Sequence, residues 1–233
     1  DNRSYEAKII DIKNEIYIMN RLQNRYIIRL YGHFIVNFQL FLFQKLANYG
    51  TLFQYLKNNG PIHEDKSRDF FVQILVGLEN MHELKIAHRD LKLENILLTK
   101  NPNETISVML SDFGLSKIVT SISGKTELMR SFSGTIGYMA PEVILRRPYD
   151  PFLADVWAAG IVLFALLNAA FPFDQTDIKL QLKSSLLRDF CWFVTLPTRD
   201  VDNLIRTMLE PDVTKRSRLD SVVKHVWLEK QFN

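Results

Sequence analysis

Cysteine is almost missing from this 233-residue chain: Cys191 stands alone, so no intrachain disulfide is available and a packed core must hold the fold. Charge of one sign is lacking too. Twenty-nine basic residues face 26 acidic ones, a formal net charge of +3, and no Lys/Arg run is long enough to mark a nucleic-acid or membrane patch. No nucleic acid and no membrane are therefore expected as partners. The start, Asp1-Asn2-Arg3-Ser4, has no apolar signal region. With the lone cysteine this gives the expectation of an intracellular protein, cytoplasmic or also nuclear. The most apolar run, Trp157 to Leu167, continues only to Phe171, is broken by Asn168 and is closed by Pro172. A span needs roughly 20 apolar residues, so this run reads as a helix at the centre of a large core. Repeats, low-complexity tracts and Gly/Ser linkers are absent as well.

What is present fits a globular chain with a substantial core: 47% hydrophobic and 24% charged residues. Phe38 to Phe43 reads as a strand. Thr51 can cap a short helix with Leu52, Phe53 and Leu56 on one face, stopped at Gly60-Pro61. Phe70, Phe71, Ile74, Leu75 and Leu78 then recur at helical spacing.

Three short motifs carry the chemistry. His88-Arg89-Asp90-Leu91-Lys92-Leu93-Glu94-Asn95 is followed by Asp112-Phe113-Gly114 and then by Ala140-Pro141-Glu142. Taken singly, an Asp or Asn between apolar stretches such as Ile86-Ala87 and Ile96-Leu97-Leu98 is usually a turn former bonded to its local backbone. Taken together and in this order, they resemble the protein-kinase catalytic core. The fold implied is α+β and two-lobed, with a mostly helical large lobe. Residues 1-46 would form a partial small lobe and 47-233 the large lobe, with a hinge at Lys45-Leu46-Ala47-Asn48.

The resemblance assigns roles. Phosphoryl transfer through a loose transition state needs a carboxylate at the incoming hydroxyl and oxygen ligands on magnesium. Asp90 takes the first task; Asn95 and Asp112 take the second, so ATP and Mg²⁺ are the implied cofactors. Lys92 would hold the transferring phosphoryl group, and its presence favours serine/threonine over tyrosine. Thr135 would bond Asp90 and Lys92. The backbone of Lys45 and Ala47 would meet adenine, with Leu97 beneath it and Gln44 guarding the back of its pocket. Asp155 would bond the catalytic-loop backbone, although a simple helix N-cap would explain an Asp there too. Met19, Leu30, His88 and Phe113 would stack across the lobes, His88 packing and not acting as a base. Glu142 would pair with Arg216. Ser131 is the expected regulatory phosphosite, facing Arg89, with Ser121, Ser123 and Ser133 as alternatives.

The resemblance weakens at the beginning. Tyr26-Ile27-Ile28-Arg29-Leu30-Tyr31 looks like the strand after the kinase regulatory helix, which counts back to roughly Ile12–Leu22 with Glu15 as its ion-pairing glutamate. Ala7-Lys8-Ile9-Ile10-Asp11 resembles the end of the strand carrying the phosphate-gripping lysine. Lys8 is then the only candidate, but it stands only seven positions before Glu15, and Asp1 to Ala7 contain no glycine for the loop that covers the phosphates. The group most resembled, partly through Ser133-Gly134-Thr135-Ile136-Gly137-Tyr138, is the calmodulin-dependent and energy-sensing serine/threonine kinases. Two functions follow as expectations. One is a serine/threonine kinase, active on protein substrates, switched by an upstream kinase and monomeric. The other is a pseudokinase or kinase fragment that binds without turnover.

Overall fold

The computed structural model describes residues 5–37, 39–122, 125–190 and 197–229, with the side chains of 5–9 and 121–125 outside the description. Phe38, Ser123 and Cys191 fall outside it. The chain begins with a helix, α1 (Tyr5–Arg21), followed by an antiparallel hairpin of β1 (Leu30–Val36) and β2 (Gln39–Gln44). Along the hairpin the cross-strand pairs Gly32/Phe43 and Phe34/Phe41 share one face, and Phe34 stacks on Phe41 with ring centroids 4.9 Å apart. Leu42, on the other face, packs on the core.

Two expectations for this region are corrected. Ala7 to Asp11 is helix, not strand: α1 starts at Tyr5, so Lys8 and Glu15 lie on one helix. Glu6, Ala7 and Lys8 are good helix formers, and they outweigh the β-branched pair Ile9-Ile10. Tyr26 to Arg29 is not strand either. The Ile28 N–H donates to the Leu110 carbonyl (2.8 Å) and the Leu110 N–H to the Tyr26 carbonyl (2.8 Å), which ties this segment to the large lobe before β1 begins.

In the segment expected to form the large lobe the first helix is α2 (Leu52–Asn59), where Thr51 and Gln54 cap each other reciprocally. Leu52 and Leu56 are its buried residues, whereas Phe53 is exposed and does not share their face. In α3 (Glu64–Glu83) the stripe Phe70, Phe71, Ile74, Leu75 and Leu78 is fully buried. Next come β3 (Ile86–Ala87), β4 (Ile96–Lys100), β5 (Ile106–Leu110) and β6 (Lys117–Ile118); β3 pairs with β6 and β4 with β5, both antiparallel. A minor hairpin, β7 (Ser121–Ile122) with β8 (Lys125–Thr126), and the short α4 (Pro141–Ile144) lead to α5 (Pro151–Asn168).

α5 is long and apolar enough to cross a membrane, but its residues from Val156 to Leu166 are buried all round, as the centre of a core requires. Asp150, not Asp155, caps it, accepting from the Phe152 N–H (2.9 Å); Asp155 lies a turn inside and is free for another task. The remaining helices are α6 (Ile178–Leu187), α7 (Arg199–Met208), α8 (Leu219–Val222) and α9 (Val226–Glu229). Val201, Leu204, Ile205 and Met208 give α7 its buried face. Gly160 lets its C-terminal end close on α5: a Cβ there would stand 3.0 Å from Met208 and 2.9 Å from Leu209.

Candidate active site

The β4–β5 register positions the site. Ile96 pairs with Leu110, so Asn95, just before β4, and Asp112, just after β5, emerge at the same end of the hairpin. The Ser111 N–H and hydroxyl both donate to the Asn95 carbonyl at 2.9 Å. Asn95 is buried, and its amide nitrogen donates to the Asp90 carbonyl (3.0 Å) and to Asp90 Oδ2 (3.2 Å).

Asp90 sits at the centre of a closed set of bonds. Lys92 Nζ donates to Asp90 Oδ2 (2.7 Å) and to Thr135 Oγ1 (2.8 Å), and the Thr135 hydroxyl donates to Asp90 Oδ1 (2.8 Å). The catalytic loop is fixed from below by Asp155, which is 1% exposed. Its carboxylate accepts from the His88 N–H (2.8 Å), the Arg89 N–H (2.8 Å) and His82 Nε2 (2.9 Å). These bonds hold Arg89 at φ 67°, a left-handed backbone that a non-glycine residue adopts only when its surroundings enforce it. Asp112 is held likewise at φ 62°.

His88 is fully buried, and burial pushes its imidazole pKa down, so it stays neutral. Its Nδ1 accepts from the Asp90 N–H at 3.3 Å, and its ring packs on Phe113 at 5.6 Å. These contacts are packing and loop support. Met19 and Phe113 lie in the same buried cluster, with Leu30 packed against it. Glu142 and Arg216 form a buried bidentate pair at 2.7 and 2.9 Å.

The residues expected to face a nucleotide are placed unequally. The Lys45 N–H is taken by the Arg29 carbonyl (2.9 Å), whereas the Lys45 carbonyl and the Ala47 N–H have no partner among the described residues. Leu97 lies in β4, half-buried, and Gln44 Nε2 approaches Met19 Sδ at 3.6 Å. Glu15 is half-buried beside Gly114: a Cβ there would meet Asp112 Oδ1 at 3.4 Å and Glu15 Oε2 at 3.8 Å. Burial, then the Asp112 charge, raises the Glu15 pKa. Lys8, whose side chain lies outside the described residues, stands on α1 with its Cα about 10 Å from that of Glu15 along the axis.

Arg89 gathers the segment that holds the expected phosphosite. Its Nη2 donates to both Ser131 Oγ and Ser133 Oγ, and its Nη1 to the Leu115 carbonyl (3.0 Å). Sequence spacing gave no sign of two further members. Tyr149 donates its hydroxyl to the Ser131 carbonyl (3.2 Å), and Lys117 links β6 to Asp11 of α1 at 3.9 Å. Both are contacts across distant chain segments.

The sequence profile of the protein kinase domain matches residues 1–228. The chain belongs to the protein kinase family. Among relatives, the chain is 34% identical over 222 residues to testis-specific serine/threonine-protein kinase 2 of Mus musculus, covering 94% of the chain and 61% of the relative. It is 36% identical over 224 residues to serine/threonine-protein kinase GIN4 of Saccharomyces cerevisiae, covering 94% and 19%. Probable serine/threonine-protein kinase KCC4 of the same yeast is 33% identical over 236 residues, covering 98% and 22%. The chain thus spans about three fifths, or less, of the length of these relatives. The kinase fold is the two-lobed α+β arrangement described above, and the serine/threonine branch is the one that Lys92 implied.

Proposed function

We propose that the chain carries the catalytic lobe of an enzyme that transfers the γ-phosphate of ATP to serine or threonine hydroxyls of protein substrates. The observation that carries this reading is the closed Asp90–Lys92–Thr135 set. A carboxylate locked by a lysine and a threonine is aimed to receive a hydroxyl proton, with a cation alongside for the transferring group.

The residues present fit a magnesium ion shared with phosphates. The Asn95 amide nitrogen is committed to Asp90, which leaves its Oδ1 without a hydrogen-bond partner among the described residues, and there Asp112 Oδ1 accepts from the Gly114 N–H at 3.3 Å. Two oxygen donors of this kind suit an ion that keeps waters and phosphate oxygens as its other ligands. Among the described residues there is no group of three His, Cys, Asp or Glu that could hold a metal. When bound, the ion would neutralise charge on the phosphates. The chain's own groups would do the rest: Lys45 and Ala47 offer a backbone acceptor and donor to adenine, Asp90 takes the proton and Lys92 steadies the charge.

A second reading, a kinase-like binding module without turnover by residues 1–233, is favoured by one observation. Lys8 shares the helix of Glu15 instead of a facing strand, and Glu15 stands beside Asp112. Phosphate transfer from Mg·ATP to Ser-, Thr- and Tyr-containing peptides tests the first reading, with Asp90→Asn expected to lower turnover at least about a hundredfold. Turnover unchanged in that variant removes Asp90 from the mechanism. Calorimetry with Mg·ATP on residues 1–233 tests the second, for which weak binding and no transfer are expected. The further expectations, a cytoplasmic monomer and an upstream kinase acting on Ser131, belong to this proposal.

A further inference from the structure

A cavity of about 510 Å³ opens behind the hinge, between the C-terminal end of α1 and the start of β1. Its size falls within the range of small-molecule sites. Three cations line it, Arg25, Arg29 and Lys45, together with the amides of Asn20, Gln23 and Asn24, and no acidic residue does. None of the three cations has an ion-pair partner among the described residues. Arg25 lies over the Tyr26 ring at 4.7 Å and Arg29 over the Tyr31 ring at 5.8 Å, which limits how far the guanidiniums can swing away. Asn24 Oδ1 accepts from the Tyr26 N–H (2.8 Å), so its amide nitrogen is the end left to donate.

Charge decides which ligand fits. The C-terminal pole of α1 contributes about half a negative charge, against three full positive ones. Like charges around one concavity repel each other, and an anion relieves that repulsion while accepting charge-assisted hydrogen bonds, bidentate from arginine. We propose that this cavity binds a compact anion bearing at least two phosphate groups. It is separate from the Asp90–Asp112 site and does not depend on turnover. A soluble diphosphate and a phosphorylated lipid headgroup share the chemistry.

The test uses inorganic pyrophosphate with residues 1–233 in EDTA and without nucleotide, so magnesium cannot hold the probe at Asp112. Saturable calorimetric binding is expected. Arg25→Gln with Arg29→Gln should weaken it at least about thirtyfold. Asn24→Asp, which keeps the acceptor for Tyr26 but adds a negative charge to the cavity, should weaken it too and serves if the double variant misfolds. Asp112→Asn should leave it unchanged. Absent binding, equal affinity in the Arg25/Arg29 and Asn24 variants, or an equal loss in Asp112→Asn overturns the proposal. If pyrophosphate binds, retention on phosphatidylcholine vesicles only when they contain phosphatidylinositol bisphosphate assigns the phosphates to a lipid headgroup; no retention assigns them to a soluble ligand. Failure here leaves the kinase reading standing, because no step of transfer is measured.

Discussion

Asp155→Asn is a nearly isosteric change whose effect can be worked out from three bonds. Oδ2 accepts from the His88 N–H and from His82 Nε2, and Oδ1 accepts from the Arg89 N–H. An asparagine has one oxygen. Placed at the Oδ2 position, it keeps the first two bonds and turns an NH2 against the Arg89 N–H; placed at Oδ1, it loses both. Either way a backbone donor beside a fully buried His88 is orphaned, at about 1–3 kcal/mol, and the surviving bonds lose their charge assistance. The sum is about 2–4 kcal/mol, or roughly 5–15 °C in Tm for a chain of this size. The same change releases the force that holds Arg89 at positive φ, so the catalytic loop should loosen before the helices do. Thermal unfolding measures the first effect and amide hydrogen exchange at His88 and Arg89 the second. A Tm within about 2 °C of the parent, with exchange at those amides unchanged, would refute the idea that Asp155 holds the loop.

Glu142→Ala leaves Arg216 buried with only the Leu153 and Glu210 carbonyls to bond, and should cost about 3–5 kcal/mol in urea unfolding. Adding Arg216→Met should recover part of that loss, and no recovery would place the cost in lost packing. Glu15 titrates above its ordinary value because the folded state resists its charge. Stability should therefore be fullest below the unfolded pKa and fall as pH rises through the folded one. Glu15→Gln should accordingly raise Tm at pH 7 but not at pH 4, and a shift equal at both pH values would contradict this. In a full-length, active form, Ser131→Ala should abolish activation by an upstream kinase, since a phosphate there meets Arg89 directly; undiminished activation shifts attention to Ser133.

Much of the site was legible because it is local. Asp90, Lys92 and Asn95 fall within one short loop, and that loop, with Asp112-Phe113-Gly114 and Ala140-Pro141-Glu142, carries the resemblance from which their roles were expected. The periodic stripe of α3 was legible for the same reason. What escaped depends on distant partners. Tyr26 to Arg29 looks like a strand, but the Tyr26 carbonyl and the Ile28 N–H bond to Leu110, more than eighty residues away. Ile9-Ile10 suggested a strand where the flanking helix formers prevailed. Asp155 could have been a simple helix cap, and only the folded chain gives the cap to Asp150 and turns Asp155 to the loop backbone.

The left-handed backbone at Asp112 carries a consequence for anyone redesigning this chain. Glycine adopts that conformation without the roughly 1–2 kcal/mol that an L side chain incurs there. Asp112 also faces Glu15, so removing its carboxylate relieves a repulsion. A procedure that ranks substitutions by folding stability alone would favour Gly at position 112 and delete a proposed magnesium ligand. Where optimisation for robustness prefers the loss of a residue, persistence of that residue in working variants is a sign of chemistry, and selection by activity is the safer guide at this turn.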